Sequence, residues 1–190
     1  MKRKCAVCRK PATRITPAGK GWCGGEDCGM ALLQRDWEKR EKKYRKEHRE
    51  QKKALERPKD LKPRVQAAFN AMIRERDFYE PCISCKRKDH EIPDHPTGGK
   101  WDCAHFLSVG SNPELRFEQL NAHKQCKYCN RDRSGNATRY EENLAERIGV
   151  ESVAWLKGPH EPKRYTVEQL RALQRTFSAE LRRLRKEHGR

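Results

Sequence analysis

The stretch that decides the fold consists of Trp101-Asp-Cys-Ala-His105 and Asn121-Ala-His-Lys-Gln-Cys-Lys-Tyr-Cys-Asn130, with Cys82-Ile-Ser-Cys85 upstream. Two Cys-x-x-Cys pairs form the ligand set of a four-thiolate zinc site, because a tight turn puts both sulfurs of a pair on one side of a tetrahedron. The histidine and the asparagines beside these cysteines do not help such a site. They are the side chains that a metal-dependent nuclease needs.

Eight of the nine cysteines fall into closely spaced pairs, and Cys103 is left over. In a reducing compartment such pairs indicate metal ligands rather than disulfides. We therefore predict two structural zinc sites, one of them in a small N-terminal knuckle at residues 1–30, and a buried thiol at Cys103. The predicted zinc ligands are Cys5, Cys8, Cys23, Cys28, Cys82, Cys85, Cys126 and Cys129.

Composition limits the class of protein. The chain has 190 residues, of which 34% are hydrophobic and 37% charged, too few apolar residues for one large core. It has no stretch long enough to span a membrane and no secretory h-region, so we expect an intracellular protein. The net charge of +17 points to a polyanionic partner, and nucleic acid is the first candidate.

The basic charge is concentrated between Arg35 and Arg64, where fourteen Lys/Arg residues stand against seven Asp/Glu. Residues 30–57 lack glycine and proline and predict a helix with only a thin apolar stripe. A solvated helix or linker, an arm along DNA phosphates and a helix for self-association all remain open. The candidate phosphate contacts on it are Lys42, Lys43, Lys46 and Arg49.

Further helices are predicted at residues 63–79, with Pro63 near the first position, and at residues 138–148, ended by Gly149. Thr166 and Gln169 form a capping box that predicts a last amphipathic helix. Gly98-Gly99 predicts a hairpin or a tight loop. The chain is thus divided into a zinc knuckle (1–30), a basic helix or linker (31–60), a chemical module with flanking helices (61–150) and a C-terminal loop and helix (151–190).

The spacing of the polar residues resembles that of HNH, or His-Me finger, nucleases, which pair a strand-borne histidine, a loop asparagine and a helix-borne histidine or asparagine. In this chain the resemblance implies His105, Asn121 and Asn130. His105 would be the general base, Asn121 would fix the His105 ring or its loop, and Asn130 would bind a catalytic Mg²⁺ or Mn²⁺ ion through its amide oxygen.

One departure from the HNH pattern concerns the acidic metal ligand that directly precedes the histidine in most members, because Ala104 occupies that position. Asp102 lies on the same face of a strand as Ala104 and is the predicted substitute. His123 is a second imidazole that could bind the metal or a phosphate. Three further cations suit phosphate contacts, namely Lys124, Arg131 and Arg133.

A wider resemblance covers most of the chain. The strings Arg74-Glu-Arg-Asp77, Pro81-Cys-Ile-Ser-Cys85 and His123-Lys-Gln-Cys126 look like those of the lambdoid-phage NinG (Rap) recombination proteins, as do the N-terminal knuckle and the basic helix. The resemblance implies an endonuclease that acts on branched DNA such as Holliday junctions and D-loops, in the bacterial host cytoplasm. Recombination proteins are possible partners, and a symmetric dimer is expected for paired cuts.

We therefore predict an α+β, mainly helical fold. A zinc-stapled ββα-metal, HNH-like finger lies among long basic helices, and the N-terminal knuckle is separate. The leading function is a metal-dependent, structure-specific DNA endonuclease. The alternatives are a non-catalytic zinc-finger protein that binds DNA or assists recombination, and a structural partner protein whose charge is only solvating.

Overall fold

The computed structural model describes residues 3–190. The chain divides into two units, one that ends at Glu56 and one that spans Arg57–Arg190. The first unit holds the N-terminal cysteines and the long basic helix. The second unit holds the other four paired cysteines and every residue of the predicted chemical module.

In the first unit, two short antiparallel strands, β1 (Arg14–Ile15) and β2 (Gly21–Trp22), precede helix α1 (Glu26–Ala54). Helix α1 begins four residues before the predicted position and takes in Cys28, so the knuckle holds the first turn of the helix. Gly29 lies directly under the Trp22 ring, where an added Cβ would come within 3.1 Å of the ring. The absence of a side chain at Gly29 therefore lets the helix pack on the strand pair.

The apolar stripe of α1 is exposed. Trp37 is 59% and Tyr44 is 64% accessible, and Leu32 is the buried residue of the helix. The basic side chains beyond Trp37 form pairs along the helix, such as Arg45 with Glu41 at 2.6 Å. Exposed pairs of this kind contribute little stability, so they leave the cations available to other anions.

The second unit contains four helices and one strand pair. In chain order these are α2 (Pro58–Arg76), β3 (Trp101–His105), β4 (Ala122–Cys126), α3 (Ala137–Ile148), α4 (Val150–Lys157) and α5 (Val167–Glu187). The tight loop before β3 is present, because Gly98 and Gly99 adopt positive φ angles in a turn closed by His95. The fold is a mixture of helices and two small sheets, as predicted.

The predicted start of α2 was wrong. Pro58 rather than Pro63 occupies the first helical position, and Arg57 is the N-cap. A proline at N1 loses no hydrogen bond, because the amide groups of the first turn have no partner inside the helix. Pro63 lies in the second turn, where it removes a single backbone bond, and the packing of Leu61 and Val65 into the core keeps the turn helical.

Strands β3 and β4 pair antiparallel, with Ala104 opposite His123 and Cys103 opposite Lys124. Side chains alternate along each strand, so the hairpin has two faces. The face that carries Cys103, His105 and Ala122 packs on α2 and is called the α2 face. The face that carries Ala104 and His123 packs on Tyr140 of α3 and is called the α3 face.

The largest core lies between α2 and α5. Phe69 of α2 makes ring contacts with Phe117 at 5.8 Å and Phe177 at 5.1 Å, and Leu170 of α5 is fully buried beside them. The capping box that starts α5 is formed, since Thr166 accepts from the Gln169 amide and Gln169 accepts from the Thr166 amide. The predicted last amphipathic helix is thus confirmed, and its apolar face belongs to the core.

Helix α3 ends at Gly149, whose φ of 84° suits glycine, as predicted. The short helix α4 that follows was not predicted. Its residues Val153 and Leu156 pack with Leu144 in a second, smaller core under the α3 face. An eight-residue segment has little intrinsic helix stability, so this packing accounts for α4. Among residues 3–190, no helix has the length and hydropathy needed to cross a membrane.

Candidate functional site

The four sulfurs of Cys82, Cys85, Cys126 and Cys129 lie within 4.8 Å of one another. The Sγ atoms of Cys85 and Cys126 are 3.8 Å apart. Four thiolates about 2.3 Å from a zinc ion stand about 3.8 Å from each other at the corners of a tetrahedron. The cluster, hereafter the second cluster, therefore has the dimensions of a zinc site.

Cys5, Cys8, Cys23 and Cys28 form the first cluster, with the same limit of 4.8 Å between sulfurs. Here the Sγ atoms of Cys8 and Cys23 are 3.6 Å apart. The two clusters could each hold a zinc ion. In this respect the sequence prediction of two four-cysteine sets is confirmed.

The Cys-x-x-Cys turns of the two clusters have the same backbone conformation and the same hydrogen bond. The amide of the residue after the second cysteine donates to the carbonyl of the first cysteine, from Arg9 in one cluster and from Lys86 in the other. Both residues have positive φ angles, 65° and 56°. This conformation costs energy for a residue with a side chain. The same conformation directs both sulfurs toward one point, which is the geometry that a bound ion would stabilise.

Nitrogen donors surround the second cluster. The Cys126 amide donates to the sulfur of Cys82 at 3.3 Å, and the Arg87 Nε–H group donates to that of Cys85 at 3.5 Å. Burial and the nearby Cys82 raise the pKa of Cys129 to about 11. A metal ion would therefore bind this cluster by displacing protons, and the amide and guanidinium donors would stabilise the resulting thiolates.

His105 stands at the end of β3 on the α2 face. Its ring stacks on Phe69 at 5.9 Å, and its Nε2 atom lies 3.0 Å from the carbonyl oxygen of Arg116. A carbonyl only accepts hydrogen bonds, so Nε2 carries the proton and Nδ1 keeps a free lone pair. Burial lowers the pKa of His105 below its ordinary value of 6.5. The ring is therefore neutral near pH 7.

Asn121 is fully buried and holds the loop between the strands. Its Oδ1 atom accepts from the Leu107 amide at 2.8 Å. Its Nδ2 group donates to the carbonyls of Leu107 at 3.0 Å and Leu115 at 3.4 Å. Of the two roles predicted for Asn121, the structure supports fixing the loop, which also carries Arg116, the partner of His105. It places no hydrogen bond between Asn121 and the His105 ring.

Asp102 and Asn130 lie together, as predicted. The Asn130 Nδ2 group donates to Asp102 at 2.9 Å, and Arg131 binds the same carboxylate through two nitrogens at 2.7 and 3.0 Å. Burial of Asp102 opposes its charge, but the hydrogen bonds from Arg131 and Asn130 outweigh that effect and lower its pKa. Asn130 belongs to a π-helical turn, Tyr128–Asp132, that directly follows β4.

The structure does not bring all predicted catalytic residues to one side of the hairpin. Asp102 and His105 are three residues apart on a strand, so their side chains leave opposite faces. Asp102 shares the α3 face with Ala104, as predicted. His105 lies on the α2 face, under Phe69. The carboxylate and the imidazole are thus separated by the strand that carries them.

Two predicted site residues are buried instead. His123 is 3% accessible, opposite Ala104 and against Tyr140, and burial lowers its pKa to about 3. Lys124 is also 3% accessible, because its Nζ atom donates to the Phe78 carbonyl and lies 4.3 Å from the centre of the Trp101 ring. The structure therefore buries both side chains, and the metal or phosphate contacts of His123 and Lys124 stay predictions.

The remaining predicted DNA contacts are exposed. Arg131 and Arg133 lie on the turn after β4, although Arg131 is engaged by Asp102. Four cations project from exposed positions of α1, namely Lys42, Lys43, Lys46 and Arg49. Their contact with DNA stays a prediction. Cys103 belongs to neither cluster and packs against the α2–α5 core, where burial raises its pKa to about 12.

Comparison with known proteins identifies the family to which the chain belongs. The family model described as "Bacteriophage Lambda NinG protein" matches residues 1–187. The chain belongs to the NinG family. Protein ninG of Escherichia phage 933W is 37% identical over 97% of this chain and 94% of that relative. Protein ninG of Escherichia phage lambda is 39% identical over 66% of this chain and 60% of that relative. No solved structure matches the chain.

Two residues of this NinG protein support the site, although the sequence assigned neither of them a role in it. Arg116 supplies the carbonyl that orients His105, and its guanidinium donates to Gln66 of α2 at 3.1 Å. Asp77 is 3% accessible and accepts from the Lys124 amide at 2.9 Å and from Arg76 at 2.8 Å. Asp77 directly follows α2, and a buried acceptor at a helix end gives no periodic signal in the sequence.

Two zinc ions per chain are expected from the cysteine clusters, measured by elemental analysis of reduced, exhaustively dialysed protein. Cys126→Ser should remove one ion and unfold the Arg57–Arg190 unit, since structural zinc supplies about 10–16 kcal/mol of folding free energy. Cys8→Ser, the control in the other cluster, should also remove one ion but leave that unit folded. Folded, reduced protein with almost no zinc would contradict both assignments.

Asn121→Ala should lower the free energy of unfolding by at least about 2 kcal/mol, because each buried group left without its partner costs about 1–3 kcal/mol. Urea denaturation followed by circular dichroism measures the change. Asn112→Ala is the control on the same loop, since the Asn112 side chain makes one long contact with the Ser108 carbonyl. Equal stabilities of the two variants would show that Asn121 does not hold the loop.

Proposed function

We propose that this NinG protein is a metal-dependent endonuclease that cleaves branched DNA such as Holliday junctions and D-loops. The observation that carries the proposal is the state of His105. Its Nε2–H group is fixed by the Arg116 carbonyl, and its neutral Nδ1 atom is free to accept a proton. A phosphodiester hydrolase needs such an acceptor to turn water into a nucleophile.

The surroundings of His105 suit a general base. Phe69 holds one side of the ring, and the loop carbonyl of Arg116 sets its rotation, so Nδ1 has a fixed direction. The burial that lowers the pKa of His105 also keeps the imidazole unprotonated at pH 7, where a protonated ring could not accept. Asn121 contributes indirectly, because it anchors the loop on which Arg116 lies.

Asp102 and Asn130 would hold the catalytic ion. A carboxylate and an amide oxygen are the hard ligands that Mg²⁺ and Mn²⁺ prefer. The two side chains are adjacent, but Asn130 turns its amide nitrogen rather than its oxygen toward Asp102, so the amide would have to rotate to share an ion, and Arg131 already neutralises Asp102. Arg131 would therefore have to turn from Asp102 toward a DNA phosphate when the ion binds. Such an ion, when bound, stabilises negative charge on the scissile phosphate and the leaving oxygen.

The order of elements supports the same proposal. A two-stranded hairpin with a histidine at the end of its first strand is followed by a turn that carries Asn130, which is the order of a ββα-metal finger. The exposed cations of α1 would grip phosphates without reading bases, since a row of charges carries no sequence information. Two copies of the chain, related by a twofold axis, would supply paired cuts at a junction.

A second candidate function is a zinc-stapled protein that binds branched DNA without cutting it. The ion pair of Asp102 with Arg131 favours this candidate, as does the presence of Ala104 where an acidic ligand is usual. The opposite orientation of Asp102 and His105 also favours it. The two candidates make the same prediction for binding and differ in cleavage with Mg²⁺ or Mn²⁺.

His105→Ala should reduce the cleavage rate of a labelled four-way junction by about 10²–10⁴-fold, the usual contribution of a general base. Junction binding and zinc content should stay unchanged. For the parent protein, the rate should rise with pH and level off above a midpoint below pH 6.5, because burial lowers the pKa of His105 and only the neutral ring accepts a proton. Cleavage by His105→Ala at the parental rate would exclude His105 as the base, and no cleavage by the parent with either ion would favour the second candidate.

Asp102→Asn should raise the Mg²⁺ or Mn²⁺ concentration needed for half-maximal cleavage, because it removes the charged ligand. Arg131→Gln is the matched variant. It frees the carboxylate, so the ion requirement should fall while DNA binding weakens. Metal titrations of both variants against the parent give the comparison. Identical titration curves for the three proteins would remove Asp102 from the metal site.

A further inference from the structure

A cleft between the end of α2, the loop before β3 and the C-terminal end of the chain plays no part in the site described above. It encloses about 580 Å³, which is within the range of about 300–1,000 Å³ that small-molecule sites occupy. The residues that matter for its chemistry are Arg74, Phe78, Tyr79, Lys88, Trp101 and Arg190. We call it the aromatic cleft.

Two adjacent rings stand at its edge. Tyr79 is 75% accessible and Phe78 is 39% accessible, an unusual exposure for neighbouring aromatic residues. Phe78 is fixed from behind, because the His188 ring stacks on it at 5.3 Å and the Arg190 guanidinium lies 4.9 Å from its centre. The Tyr79 ring meets Phe78 and His188 edge-on, at 5.0 Å each. These contacts hold the Tyr79 ring in place. In the described part of the chain no other ring stacks on its flat face.

The cleft is also positively charged. Five Lys/Arg side chains line it against three Asp/Glu, and each acid already has a cationic partner. One of the five, Lys124, is buried and bonded to the Phe78 carbonyl, so the cations open to a ligand are the other four. Glu75 contacts His188 at 3.0 Å and Arg190 at 3.4 Å, Glu80 contacts Arg147 at 2.6 Å, and Asp89 contacts Lys100 at 3.0 Å. Arg74 and Lys88 add further positive charge to the wall.

We propose that the aromatic cleft binds an unpaired single-stranded segment of DNA, with a base stacked on Tyr79 and its phosphates on the surrounding cations. Exposed aromatic rings beside Lys and Arg are the common elements of single-strand binding sites, because every base has a face that can stack. A base inside a duplex has both faces covered, so Tyr79 selects unpaired DNA. This proposal rests on the proposed function, since unpaired bases occur where strands branch.

The position of the cleft connects it with the hairpin. Trp101, on the α2 face, lines the cleft, and His105 lies on the same face at the other end of β3. Four residues of strand span about 13 Å. The cleft and the candidate base are therefore joined by one short strand, which ties recognition of an unpaired segment to the proposed site.

The test measures binding of labelled oligo-dT, a fully abasic strand of equal length and a duplex by fluorescence anisotropy, in Ca²⁺ buffer without chelator. Tyr79→Ala should weaken oligo-dT binding by about 5- to 150-fold, the effect of losing one base–ring stack. Binding of the abasic strand and the duplex should change by less than about twofold. Tyr79→Phe should bind oligo-dT like the parent, and Tyr79→Leu should bind like Tyr79→Ala.

Trp155→Ala is the control, because Trp155 is an exposed aromatic residue of the same unit, 49% accessible and outside the cleft. It should bind all three DNAs like the parent. Equal losses of oligo-dT and abasic binding in Tyr79→Ala, or parental binding by Tyr79→Leu, would overturn stacking at this position. These measurements do not involve cleavage, so the two proposals can fail separately. If the nuclease proposal fails and this one holds, oligo-dT binding depends on Tyr79 although no DNA is cut.

Discussion

The second cluster is the constraint on which the rest of the site depends. It ties the turn of Cys82 and Cys85 to the end of β4 and to the turn that carries Asn130. Strands of five residues have too few hydrogen bonds to persist as an isolated hairpin. A metal ion bound by the four sulfurs would fix their register from one end, while α2 and α3 cover the two faces. Every candidate catalytic residue lies on this hairpin or on the loops that leave it.

The two faces of the hairpin have different chemistry, because α2 covers one face and α3 covers the other. The α2 face places His105 in apolar surroundings, where the ring stays neutral and the Arg116 carbonyl fixes its proton. The α3 face ends in the cluster of Asp102, Asn130 and Arg131, which is polar and charged. The proposed reaction needs contributions from both. The ion pair of Asp102 with Arg131 is the contact that would have to open, and it is the physical feature that separates a nuclease from a binding protein here.

Helix α2 links the candidate base to the proposed recognition of DNA. Its middle supplies Phe69 to the His105 ring, and its end leads into Asp77, Phe78 and Tyr79. Asp77 points inward and bonds the Lys124 amide of β4, while Tyr79 points outward into the aromatic cleft. One buried carboxylate thus holds the end of the helix against the hairpin, and two residues later the chain presents a ring to solvent. The aromatic cleft and the α2 face therefore share a rigid support.

The sequence by itself determined the two four-cysteine sets, the capping box and core stripe of α5, the end of α3 at Gly149 and membership of the NinG family. These features depend on spacing between nearby residues, and short-range geometry is encoded locally. Tertiary structure decided the rest. It buried His123 and Lys124, started α2 at Pro58, stabilised the short α4 and gave Asn121 a role in the loop rather than at the ring. It also placed Asp102 and His105 on opposite faces of one strand and made a cleft from residues more than 100 positions apart. Strand alternation is predictable, but which face meets which helix depends on long-range packing, which no local pattern specifies.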